Sequence, residues 1–76
     1  METASWSIVR SLAATLTEYA RELLQLDRRT EALKAVEEAL QLAESASRHD
    51  PASARASAEY REARTVVTQI ESRIIP

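Results

Sequence analysis

Apolar residues recur at alternating spacings of three and four along most of the chain, the spacing of one face of an α-helix. The first run reads Val9, Leu12, Leu16, Tyr19, Leu23 and Leu26. Ala13 and Ala20 widen it, and Thr3 or Ser5 stands where a helix start is capped. The second run carries Ala32, Leu33, Val36, Ala39, Leu40 and Ala43. Its apolar face is mostly small, and its alanines let a neighbouring helix axis come close, so this helix is expected between the other two. Asp50-Pro51 is the clearest punctuation, because Asp caps helices and Pro is tolerated in their first turn. A third helix is expected to start there and to show Ala56, Tyr60, Ala63, Val67, Ile70 and Ile74. The predicted fold is all-α, with three antiparallel helices over about 4–26, 28–48 and 51–74 in one domain spanning 1–76. The short connections around 27–29 and 49–50 force neighbouring helices antiparallel.

Composition narrows the picture. The 76 residues include no Gly, no Cys and no Phe, and aromatics make up 4%. Tight turns and strands draw on those residue types, so a substantial sheet is excluded. One core of this size is too small to enclose a substrate pocket of several hundred Å³, so neither an enzyme nor a cofactor is expected. Net charge is −2, and Arg10, Arg21, Arg28, Arg29, Arg48, Arg55, Arg61, Arg64 and Arg73 are interspersed with glutamates. That pattern gives no basic face for nucleic acid. No run approaches the ~18 apolar residues of a membrane span. The opening METASWSIVR lacks a basic stretch followed by a long apolar one, so a cytoplasmic location is expected.

Advancing the first run by 44 residues lays Leu16, Tyr19, Leu23 and Leu26 on Tyr60, Ala63, Val67 and Ile70, a weak internal repeat. The segment Leu16 to Leu42 carries a large residue, a small residue and a large residue on its first helix, at Leu16, Tyr19, Ala20 and Leu23. Its second helix carries Glu31, Ala32, Leu33, Ala39, Leu40 and Leu42. It resembles a tetratricopeptide repeat. Leu16 stands at the family's usual Trp, Ala20 at its small residue, Asp27 where Gly is common in the turn, and the proline arrives late, at Pro51. The array implied is a right-handed stack of helices; the periodicity alone is equally satisfied by an up-down-up bundle. Glu59, Tyr60, Arg61 and Ala63 give a weaker resemblance to microtubule-interacting and transport domains, displaced by one residue.

The tetratricopeptide resemblance implies a partner protein or peptide gripped by the faces of helices 1 and 3, through Thr17, Arg21, Leu24, Arg61, Thr65 and Thr68. Arg21 and Arg61 would meet acidic groups of the peptide. The alternative is a homo-oligomeric bundle with Trp6, Leu24 and Ile75 buried between copies. Chemistry-bearing residues are few. His49 with Asp50 supplies too few ligands for a metal site and suits the end of a helix. Glu37, Glu38 and Glu44 read as a solvated helix face.

Overall fold

The computed structural model describes the backbone of residues 2–74 and the side chains of 6–72. Among the described residues the chain forms three helices: α1 (Glu2–Gln25), α2 (Arg29–His49) and α3 (Ala54–Ile74). No strand occurs among the described residues. Every helix touches both others, with α2 sharing its longest contacts with α1, then α3, while α1 and α3 meet less. The alanine-faced helix is therefore central, as its composition predicts. The molecule measures 44 × 18 × 13 Å, little longer than its longest helix at about 36 Å.

The connections show how each helix stops. Asp27 has a φ of 63°, the left-handed region usually left to Gly. Its N–H donates to the Leu24 carbonyl at 3.0 Å, and the Arg28 N–H donates to that of Leu23 at 2.9 Å, so two free carbonyls at the end of α1 are satisfied. Arg28, before α2, provides no side-chain cap, but it pairs with Glu31 at 2.6 Å in the first turn. The second connection corrects the expected start of α3. Pro51 occupies a turn closed by the Ser53 N–H donating to the Asp50 carbonyl at 3.0 Å, a position that its fixed φ suits. Ser53 then caps α3, its Oγ accepting from the Ala56 N–H at 3.2 Å.

The core is light. Its buried apolar residues are Ala13, Ala20, Leu23, Leu24, Ala32, Val36, Ala39, Ala43, Ala46, Ala56, Ala63, Val66 and Ile70. The larger ones cluster where the C-terminal halves of α1 and α3 meet the start of α2, with Leu33, Leu40 and Val67 packed alongside. Each fully buried Val36, Val66 or Ile70 stabilises by about 1.5–3 kcal/mol. Alanine removes less area but allows the close approach that the thin molecule requires.

The inward face of α1 differs from the expected one. The line facing α2 and α3 is Ala13, Thr17, Ala20 and Leu24, with Leu23 beside it. Leu12, Tyr19 and Leu26, expected in the core, are exposed. Both lines have helical spacing, and the small one wins because α2 also presents small residues, so the two backbones close up on it.

Candidate functional site

The face between α1 and α3 is largely closed. Thr17, expected to line an open groove, is 4% exposed, and its Oγ1 donates to the Ala13 carbonyl at 2.9 Å. Leu24 is 6% exposed and belongs to the core, so it supplies neither that groove nor a surface between copies. Arg21 reaches Glu18 at 2.9 Å on its own helix and Glu62 on α3, which straps the two helices together. The bond to Glu62 holds the Arg21 guanidinium further toward its charged form, with burial opposing and the two glutamates' charges adding to it. Any stability from that shift is present below the guanidinium's ordinary range and is lost only above it. Arg61, Thr65 and Thr68 are exposed on α3, with the threonine hydroxyls donating to the Arg61 and Arg64 carbonyls at 3.0 and 3.2 Å. What remains between α1 and α3 is a cleft of about 100 Å³ lined by Ala14, Thr17, Glu18, Glu59 and Glu62. That volume suits a few water molecules and is too small for a peptide backbone. One Glu59 carboxylate oxygen is shut from solvent there without a hydrogen-bond partner among the described residues.

The other side of α1 is open. Ile8 is 67% exposed, Leu12 47%, Tyr19 52% and Leu26 67%, and Val9 and Leu16 are half-buried between them. Below this stripe a groove of about 400 Å³ runs between α1 and α2, lined by Leu16, Tyr19, Leu23, Glu31, Lys34, Ala35 and Glu38. Leu42, half-buried and seven residues beyond Ala35, continues the same face of α2. Ile8 and Ala35 lie off the seams read in the sequence, whereas Leu12, Leu16, Tyr19, Leu23 and Leu26 of this surface were visible there as an apolar seam. Only their destination was not, and the signal that separates them is the second, smaller line one residue further round the helix.

Trp6 stacks on His49, with ring centroids 4.3 Å apart and planes 14° from parallel. The pair fastens the start of α1 to the end of α2, so Trp6 is used within the chain. Ile75 lies outside the described residues. Among the described residues no group of three His, Cys, Asp or Glu side chains is placed to hold a metal, and no helix is long and apolar enough to cross a membrane. Compared with protein-family models, curated proteins and solved structures, the chain matches none of them.

Proposed function

We propose that this chain is a non-catalytic, cytoplasmic protein–protein interaction module. On this reading it is a tetratricopeptide-like hairpin backed by a third helix, and it receives a helix of a partner protein on the outer stripe of α1 and the adjoining groove. The observation that carries the reading is the exposure of Ile8, Leu12 and Tyr19 along one side of α1 and of Leu26 just past its end, beside the half-buried Leu16. Contiguous apolar surface of this kind is seldom left uncovered in a monomer and marks a partner site. Leu12, Leu16, Tyr19 and Leu26 repeat at helical spacing, which suits a helical occupant. Arg21, Arg28 and Arg48 are engaged with Glu18 and Glu62, Glu31 and Glu44, which supports a protein partner over nucleic acid.

The test uses a labelled amphipathic peptide of about twenty residues, with leucines on one face and neutral polar residues on the other. Fluorescence anisotropy is expected to rise saturably with the wild-type chain. With Leu12→Glu and Tyr19→Glu combined it should fall about tenfold or more in affinity while the melting curve holds. Equal binding to both chains contradicts the site.

A further inference from the structure

Resting on that reading, we infer that the groove between α1 and α2 selects an amphipathic helix whose apolar face is flanked by lysine or arginine. Its floor is apolar, formed by Leu16, Tyr19, Leu23 and Ala35. Its rims are acidic on both sides. On the α1 side Glu18 and Glu22 stand beside Tyr19; on the α2 side stand Glu31 and Glu38, with Lys34 the one cation. Glu18 and Glu31 are balanced by Arg21 and Arg28. Glu22 and Glu38 are exposed and have no ion-pair partner among the described residues. Lys34 stands one turn from Glu38 on the α2 wall, so the carboxylates of the groove, Glu18, Glu22, Glu31 and Glu38, outnumber its cations rather than standing alone. An apolar trough with that acidic excess is complementary to a helix with a cation on each edge of its leucine stripe. A second copy of this chain brings the same acidic rims, so like charges meet and self-association is disfavoured.

Charge at a rim changes specificity and salt dependence more than it changes total affinity, so the experiment reads selectivity. Three labelled peptides share one leucine face and differ only in the flanking positions, which are lysine, glutamine or glutamate. The wild-type chain is expected to bind the lysine peptide about tenfold more tightly than the glutamate peptide, and the gap should shrink as salt rises from about 0.05 to 0.5 M. Glu22→Lys combined with Glu38→Lys touches only exposed, unpaired side chains and should invert the order with folding intact. If the glutamine peptide binds but the lysine and glutamate peptides bind equally in both chains, the charge selection is overturned and the apolar interaction site stands. If no peptide binds and light scattering finds a dimer that Tyr19→Glu dissolves, the occupant is a second copy and this inference is overturned.

Discussion

The two sides of α1 carry the same periodicity and meet opposite fates. One line, Ala13, Thr17, Ala20 and Leu24, disappears against α2 and α3. The other, although the more hydrophobic, keeps Leu12, Tyr19 and Leu26 at the surface and gives up only Leu23 to the core, with Leu16 half-buried. Burying large side chains favours folding per residue, but a helix between two close neighbours is limited by the distance between backbones. Ala32, Val36, Ala39 and Ala43 set that distance short on α2, so the small line of α1 fits and the large line is displaced outward. Hydrophobicity alone therefore does not orient the helix; the size of the residues across the contact does.

Four experiments probe this contrast, in decreasing order of effect. Leu24→Ala should destabilise by about 2–5 kcal/mol, and Leu12→Ala, on the outer line, by under about 0.5 kcal/mol, as read by urea unfolding. That is a large share of the roughly 4–11 kcal/mol expected for a chain of this length. Equal costs would mean that the two lines are not differently buried. Ala20→Leu puts bulk where the helices approach and should cost about 1–3 kcal/mol, against a near-neutral Tyr19→Leu one position away. Asp27→Gly should raise stability by about 0.5–1 kcal/mol, because Asp holds the left-handed φ at the end of α1 with strain that Gly lacks. A loss of stability there would show that the exposed contact of Asp27 with Arg29, 3.2 Å long, outweighs the backbone strain. The smallest effect belongs to the strap between α1 and α3. A double-mutant cycle on Arg21→Gln and Glu62→Gln should give about 0.2–1 kcal/mol of coupling that fades with salt, since both side chains are substantially exposed.

Much of the fold was legible because it depends on local pattern. Most of the face of α2 read correctly: Ala32, Val36, Ala39 and Ala43 are buried, while Leu33 and Leu40, expected beside them, are half-buried at its edge and Ala46 extends it. Ala56, Ala63 and Ile70 of α3 also fall in the core, whereas Val66 takes the place expected of Val67. The choice between two adjacent valines depends on the angle at which α3 crosses its neighbours, which no spacing along one helix encodes. Pro51 marked a boundary without fixing it, because proline suits both the first turn of a helix and the second position of a turn; the Ser53 cap decides. Two residues expected to line a groove, Thr17 and Leu24, are buried for a related reason. Thr17 and Leu24 lie one or two positions from exposed ones, and a rotation of α1 by a single residue exchanges groove and core.

The most direct test of that rotation is a map of the bound surface, residue by residue. Methyl and amide NMR shifts would be followed while the leucine peptide with lysine flanks is added to the isotope-labelled chain. The signals of Leu12, Leu16, Tyr19 and Leu26 are expected to move together with Ala35 and Leu42, while Leu24 and Ile70 hold still. Shifts confined to Arg61, Thr65 and Thr68 on α3 would place the site on the opposite side of α1 and contradict the account.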